Sequence, residues 1–350
     1  MKVALVGPPM SGKSTLFAAV TGIEPDPGRS HGGKPQPGNV KVPDERLDRL
    51  AAHYKPKKLT HAVVELLDFG GVEPGARTEH IKQMFGTMRD MADCLAVVCP
   101  AFGGATADDA VKTWNAMKSE LLFADLEVIE KRIGKLKASA NRPTKTQDAD
   151  KKELALLEQI QAHLEEHETW EGFELDDIQD KMIRGFRFLA QKPAIAVINA
   201  DEPASIDPAK LLPAAEAKHA MVVNADIEKE LGSMEPADRE EFLKEMGLSE
   251  PAGPRMIEAA YDALGLMSFF TVGEDECRAW TINRGDNAVA AAGRIHSDLA
   301  RGFIRAQVFA YDDFVAYGDE KEVKAKGRLR EEGKDYIVHD GDIINIRFSV

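Results

Sequence analysis

Apolar runs long enough for buried strands recur in the first and third parts of the chain. They lie at residues 3–6, 62–67, 92–99, 194–198 and 221–223. Segments with helical periodicity, at 15–20 and 80–90, alternate with them. This alternation is typical of an α/β fold, in which helices cover a mostly parallel sheet. We therefore predict one such domain, formed by residues 1–107 and 186–266.

Residues 108–185 show a different pattern, in which apolar residues recur at steps of three and four between charged ones. The first series is Leu122, Leu126, Ile129, Ile133 and Leu136, and the second is Leu154, Leu157, Ile160 and Leu164. A polar stretch at 138–149, which contains Pro143, separates them. The spacing predicts an inserted helical coiled-coil hairpin. It leaves open whether the hairpin is a packed insert or a binding surface.

The last part of the chain is rich in predicted strands around one helix. Charged helices are predicted at 236–246 and 254–264, then strands at 267–272, 279–282, 303–309 and 343–350 with a helix at 288–296. Such a mixture indicates a small α+β domain over residues 267–350. Its sequence has no Cys/His cluster and no nucleophile triad, so we expect binding rather than catalysis there.

The first predicted strand leads directly into a phosphate-binding motif. The motif reads Gly7, Pro8, Pro9, Met10, Ser11, Gly12, Lys13, Ser14 and Thr15. Small residues let backbone N–H groups curl around a β-phosphate, and the helix that follows begins with a partial positive charge. Lys13 adds a charge for the β and γ oxygens, and the Ser14 hydroxyl is a ligand for Mg²⁺. We therefore predict that these nine residues form a P-loop that binds a nucleoside triphosphate with Mg²⁺.

A second motif, Asp68-Phe69-Gly70-Gly71, follows the predicted strand at 62–67. Here Asp68 is placed to hold Mg²⁺ through water, and the Gly71 N–H is placed to sense a γ-phosphate. Val72 stands where many GTPases carry the Gln that orients the attacking water, and a valine cannot do this. The catalytic residue is therefore unknown.

The Gly- and Pro-rich segment at 22–39 is predicted to be a loop without regular structure. In phosphate-sensing switches a Thr hydroxyl from such a loop completes the shell of the metal. Only Ser30 within the loop and Thr21 at its edge carry a hydroxyl. The residues around Ser30 and Thr21 are not those expected around such a ligand, so this metal ligand is left unassigned.

The predicted strand at 194–198 ends in Asn199-Ala200-Asp201-Glu202, where guanine-specific proteins carry N-K-x-D. Ala200 lacks the aliphatic chain with which the usual Lys covers a base, and Glu202 is one methylene longer than the usual Asp. We therefore predict weak discrimination for guanine, with Asn199 and Glu202 at the base. Asn224-Ala225 is a candidate second turn at the base, although any polar turn after a strand would look the same.

Composition limits the setting of the chain. No apolar run approaches the ~20 residues that span a bilayer, so we expect a cytoplasmic protein without membrane association. The net charge of −14 repels free nucleic acid at long range, and we expect no sequence-specific DNA binding. That charge still allows a docking site on a ribosome. Cys94 and Cys99 lack metal-ligand spacing and are expected to be core thiols.

Beyond these motifs, nearly the whole sequence resembles the Obg-like ATPases of the YchF type, a group of P-loop NTPases of the TRAFAC class. The matching stretches are 42–44, 46–48, 120–132 (ELLFADLEVIEKR), 240–248 (EEFLKEMGL), 259–272 (AAYDALGLMSFFTV), 278–282, 292–304 (AGRIHSDLARGFI), 311–314, 333–338 and 340–342. The resemblance implies a three-part protein whose last domain is a ubiquitin-like β-grasp (TGS) domain. It also implies that Asn199 and Glu202 favour ATP over GTP, and that ribosomes or translation factors are partners.

The chain departs from the pattern of that family where hydrolysis is controlled. Met10 replaces the usual Asn, and the segment after the Asp68 motif is shortened to residues 72–77. No His occurs between His80 and His163, although family members commonly carry one there. We therefore expect an ATPase of low intrinsic rate. A nucleotide-binding regulator that does not hydrolyse, and a GTPase, are the alternatives.

Overall fold

A computed structural model describes residues 1–26, 34–139, 147–245 and 250–349. Ser30 and Pro143 therefore lie outside the described residues. The strands, in chain order, are β1 (Lys2–Val6), β2 (Gln36–Lys41), β3 (Lys58–Thr60), β4 (Val63–Asp68), β5 (Cys94–Ala101), β6 (Ala194–Ala200), β7 (Met221–Val223), β8 (Leu266–Thr271), β9 (Glu276–Asn283), β10 (Phe303–Ala310), β11 (Arg330–Glu332) and β12 (Asp342–Phe348).

The helices alternate with these strands. They are α1 (Lys13–Thr21), α2 (Glu45–Tyr54), α3 (Glu79–Met91), α4 (Ala107–Ser139), α5 (Gln147–His167), α6 (Asp177–Ile183), α7 (Pro208–Leu211), α8 (Ala214–Ala217), α9 (Ala225–Ser233), α10 (Pro236–Glu245), α11 (Ala252–Ala263), α12 (Ala288–Ile295), α13 (Ser297–Arg301), α14 (Tyr311–Tyr317) and α15 (Glu320–Ala325). No helix of the described ranges is long and apolar enough to cross a bilayer.

The first sheet has the strand order β2-β4-β1-β5-β6-β7 and confirms the predicted α/β fold. Its strands β4, β1, β5, β6 and β7 run parallel. The apolar runs of β1, β5 and β6 are almost entirely buried, as expected for strands covered on both faces. Parallel strands present their carboxyl ends at one edge, where ligands bind in such sheets. The P-loop, Asp68 and Asn199 all lie at this edge.

β2 corrects the prediction that residues 22–39 lack regular structure. The strand begins at Gln36, whose side chain accepts a hydrogen bond from Asp26 N (2.6 Å) and donates one to Glu24 O (3.0 Å). A Cβ at Gly38 would lie 2.9 Å from Phe17 Cζ, so the glycine lets the strand approach α1 closely. These contacts depend on the fold, and the sequence of β2 carries no apolar alternation that would predict a strand.

The predicted helical hairpin is present as α4 and α5. Its buried core contains Leu122, Ile129, Ile133, Leu136, Leu156, Leu157, Ile160, Leu164, Ile183 and Phe188, against which Leu126 and Leu154 pack partly buried. Arg132 and Glu153 add two hydrogen bonds between the helices, each of 2.7 Å. The apolar seams therefore form the interface that their spacing predicts.

The second sheet has the order β11-β10-β12-β8-β9-β3. Apart from the parallel pairs β12–β8 and β3–β9, its pairings are antiparallel. The helix α12 packs on it through Ala288, Ala291 and Ala292, which are fully buried. The sequence did not predict β3, which pairs with β9 through Lys58 and Glu276.

Contacts divide the chain into two compact units, which are Met1–Gly38 with Glu65–Met256, and Asn39–Val64 with Ile257–Val350. The helical hairpin belongs to the first unit. Residues 39–64, which were assigned to the domain at 1–107, belong to the second. The three predicted domain boundaries stay a prediction.

Candidate nucleotide-binding site

The loop between β1 and α1 is shaped by two glycines. Gly7 has φ 149°, and a Cβ there would lie 2.5 Å from Val98 O. Gly12 has φ 90°, and a Cβ there would lie 2.2 Å from Asn199 Nδ2. No side chain caps the first turn of α1. The backbone N–H groups of that turn are therefore available to bind an anion. The loop therefore has the form that the motif predicts.

Lys13 is hydrogen-bonded to two residues of this loop. Its side chain is only 5% exposed, and Nζ donates to Pro8 O (2.7 Å) and Ser11 Oγ (3.4 Å). Burial lowers the pKa of Lys13 to about 8, and the charge of Asp68 opposes this shift. The ammonium group is thus held next to the backbone that would surround a phosphate.

Ser14 and Asp68 form a pair of oxygen donors beside Lys13. Ser14 Oγ donates to Asp68 Oδ2 at 2.8 Å. The other carboxylate oxygen, Oδ1, is buried and has no hydrogen-bond partner within the described ranges. Burial raises the pKa of Asp68, while the Ser14 hydrogen bond and the charge of Lys13 oppose the shift. An orphaned carboxylate oxygen next to a hydroxyl suits a hard cation.

The segment after Asp68 lies directly against the P-loop. A Cβ at Gly71 would be 2.7 Å from both Cα and N of Pro9, so only glycine allows this approach. Val72 N donates to Gly7 O at 3.0 Å, and the Val72 side chain is fully buried in the apolar core. A buried valine cannot contact an attacking water, which agrees with leaving the catalytic residue unknown.

Asn199 joins three elements at the sheet edge. Its Nδ2 donates to Ser11 O (3.1 Å), and its Oδ1 accepts from Ala225 N (2.9 Å). The side chain is 6% exposed. The structure therefore brings Ser11, Asn199 and Ala225 together, but it uses the Asn199 amide within the protein rather than leaving it entirely for a base.

The turn after β6 leaves one carboxylate available. Asp201 Oδ2 accepts from Gly103 N (3.1 Å), and Asn224 Nδ2 donates to Asp201 O (3.0 Å). The Oδ1 of Asn224 also caps α9. By contrast, Glu202 is exposed. The contact of Asp201 with Gly103 was not predicted, although Gly103-Gly104 signals a turn after β5.

The remaining predicted residues line the same loop. Pro8 and Thr15 are half-buried, Pro9 is exposed and Ser11 is fully buried. Met10 has a left-handed backbone, with φ 58°, and a side chain that is 92% exposed. Thr21, at the edge of the segment 22–39, donates its hydroxyl to Phe17 O of its own helix (2.7 Å). The metal ligand expected from that segment therefore stays unassigned.

Known proteins are similar to this chain over its full length. The chain is 36% identical over 370 residues to the "Ribosome-binding ATPase YchF" of Bacillus subtilis, with 100% of both chains covered. It is also 36% identical over 366 residues to the protein of that name from Escherichia coli O157:H7, covering 100% of this chain and 99% of that one. The chain belongs to the YchF family.

A solved structure supports the same relationship. The "Schizosaccharomyces pombe YchF GTPase" matches with a TM-score of 0.79 at 26% identity, over 99% of this chain and 97% of that one. The family YchF-GTPase_C, described as "Protein of unknown function (DUF933)", matches residues 266–349. Membership in the YchF family confirms the predicted fold class of a P-loop domain, a helical insert and a further C-terminal domain.

Proposed function

We propose that this YchF-family chain binds ATP with Mg²⁺, hydrolyses it slowly, and associates with the ribosome according to the nucleotide that it holds. The observation that supports this most is the convergence of Lys13, the Ser14–Asp68 pair and the turn after β6 at one sheet edge. The full-length bacterial relatives named ribosome-binding ATPases supply the partner. A ribosomal partner would place the chain in the cytoplasm.

Ser14 and Asp68 are the residues that would hold Mg²⁺. The orphaned Oδ1 of Asp68 and the Ser14 hydroxyl are hard oxygens of the kind that Mg²⁺ prefers. A bound Mg²⁺ neutralises charge on the β- and γ-phosphates. Lys13 supports the same phosphates, and the glycines of the loop give the phosphates access to backbone N–H groups.

Hydrolysis is tested by single-turnover measurement with labelled ATP. We expect slow release of phosphate that depends on Mg²⁺ and is lost in Lys13→Ala. The burial of Val72 favours a second candidate, a regulator that binds ATP without hydrolysing it. Tight ATP binding without phosphate release would select that candidate.

Nucleotide-dependent association is tested by co-sedimentation with ribosomes in the presence of ATP, ADP or a non-hydrolysable ATP analogue. We expect the bound fraction to differ between the ADP and the analogue samples. Equal sedimentation in the three samples would contradict a nucleotide-controlled interaction.

ATP preference rests on Glu202, the exposed carboxylate at the turn. A site built for guanine pairs an Asp with N1–H and N2–H₂, and the longer Glu202 lacks that geometry. We expect ATP to bind at least as tightly as GTP, and Glu202→Asp to shift the preference towards GTP. Ala200 is only 2% exposed, so adding a lysine there would disturb the core. Dissociation constants for both nucleotides decide the matter, and GTP binding more than about tenfold tighter in wild type would indicate a GTPase.

A further inference from the structure

One buried carboxylate holds the loop that follows the Asp68 motif. Glu120 lies on α4, within the helical hairpin, and is only 5% exposed. It does not belong to the P-loop or to the turn after β6. Buried carboxylates need hydrogen-bond partners, so the partners of Glu120 identify the segment that it holds in place.

Both oxygens of Glu120 are used by this loop. Gly75 N donates to Oε1 at 2.8 Å, and Arg77 Nη1 donates to Oε2. The Arg77 guanidinium also lies over the Phe123 ring of α4, 5.4 Å from the ring centroid. One side chain of the hairpin therefore fixes the backbone and a cation of the same short loop.

The other end of the loop is fixed to the P-loop. Val72 N donates to Gly7 O at 3.0 Å, and Gly71 lies against Pro9. Residues 73–77 thus connect a contact at the phosphate site with a contact on α4. A shift of Gly71 towards or away from a γ-phosphate would pull on the Glu120 contact.

Any other position of the loop would have to provide new partners for Glu120 or bring its carboxylate to solvent. A carboxylate that loses its partners while it stays buried is strongly unfavourable, so the Glu120 contact resists displacement of the loop. An open cleft of about 1070 Å³ lies beside it, lined in part by Arg77, Lys82, Glu127 and Lys131. The cleft gives Arg77 space in which to move.

We propose that Glu120 is a positioning residue that holds residues 73–77 so that Gly71 can distinguish ATP from ADP, and that it transmits this distinction to the helical hairpin. The inference rests on the proposed function only in taking ATP as the ligand. Glu120 is hydrogen-bonded to Gly75 and Arg77 and not to a residue of the P-loop. It acts through Gly75 and Arg77.

The test is Glu120→Gln in the full chain, with Glu127→Gln as the matched control. Glu127 lies on the same helix and pairs with Lys82 of α3, but both side chains are more than 40% exposed. In Glu120→Gln we expect affinity for a non-hydrolysable ATP analogue to fall by about tenfold, while affinity for ADP stays within about twofold. Hydrogen exchange at Gly75 should become faster. Glu127→Gln should change none of these.

A purely structural role would weaken ATP-analogue and ADP binding equally, and this outcome would overturn the proposal. The proposal would also be overturned if Glu120→Gln changed neither affinity. If that variant does not fold, Arg77→Gln makes the same test, because the Arg77 side chain is 41% exposed. Single-turnover hydrolysis is measured separately. Absent hydrolysis in wild type, with the affinity ratio lost in the variant, would contradict the ATPase proposal and support the role of Glu120.

Discussion

Lys13 is the residue on which nucleotide binding depends most directly. It is a nearly buried cation that the loop holds through Pro8 O. We predict that Lys13→Ala abolishes ATP binding and leaves the fold intact, because a charge-assisted contact worth roughly 1.5–3 kcal/mol is lost and the uncompensated phosphate charge adds to this loss. Calorimetric titration measures this, with the exposed Lys112→Ala on α4 as the control. Unchanged ATP affinity in Lys13→Ala would contradict the P-loop assignment.

Cys94 and Cys99 are buried on β5, as predicted for core thiols. Burial raises the pKa of each from its usual 9.0 to about 12. Between these values the folded chain keeps protons that the unfolded chain releases, so the free energy of unfolding falls as pH rises. We predict a contribution of roughly 1.4 kcal/mol per pH unit for each thiol. Urea unfolding at pH 8 and pH 10 should show a smaller loss in the Cys94→Ala/Cys99→Ala variant, and equal losses would contradict the prediction.

The sequence predicts the chemistry of the site better than its internal contacts. Gly7, Gly12 and Lys13 are recognisable because phosphate binding restricts both residue type and spacing. The hydrogen bonds of Asn199 could not be foreseen, because its partners Ser11 and Ala225 become neighbours only through the order of the parallel strands. Whether an amide is available to a ligand thus depends on tertiary structure.

Among the elements, most of those with strong local periodicity were predicted, and the strands without it were not. β5, β6 and the hairpin helices carry apolar patterns that suffice by themselves. β2 and β3 lack such patterns, whereas α2 was not predicted although Leu47 and Leu50 lie buried on one face of it. β3 exists because Lys58 pairs with Glu276, far along the chain, and α2 begins where Asp44 caps the N–H of Arg46. Elements that depend on distant partners give little local signal.

The hairpin offers a test of its own apolar seam. Ile160 is fully buried between α4 and α5. We predict that Ile160→Ala lowers the free energy of unfolding by roughly 2–5 kcal/mol, because it leaves a cavity in the core. Urea unfolding measures the loss, and hydrogen exchange across α5 shows whether it is local. The exposed neighbour Gln159→Ala should change stability by less than about 0.5 kcal/mol. A comparable loss in both variants would contradict the assigned seam.

For the whole molecule, charge is strongly acidic, but individual cations are exposed on the helical hairpin. The net charge is −14, yet Lys135 and Lys151 are exposed on the two hairpin helices, on either side of residues 140–146. At physiological salt, charges separated by more than about 8 Å are largely screened. Single exposed lysines of the hairpin can therefore contact ribosomal phosphates even though the whole chain repels free nucleic acid.

This distribution predicts that unstructured RNA does not bind at physiological salt, whereas ribosomes do. Lys135→Glu/Lys151→Glu should weaken ribosome co-sedimentation by about tenfold, because charges at the rim of an interface steer association. ATP affinity should be unchanged, since both lysines lie outside the P-loop. Lys210→Glu/Lys321→Glu makes the same change in net charge elsewhere and should sediment like wild type. Equal losses in the two variants would show that total charge controls binding, and no loss in either would indicate that the hairpin is a packed insert.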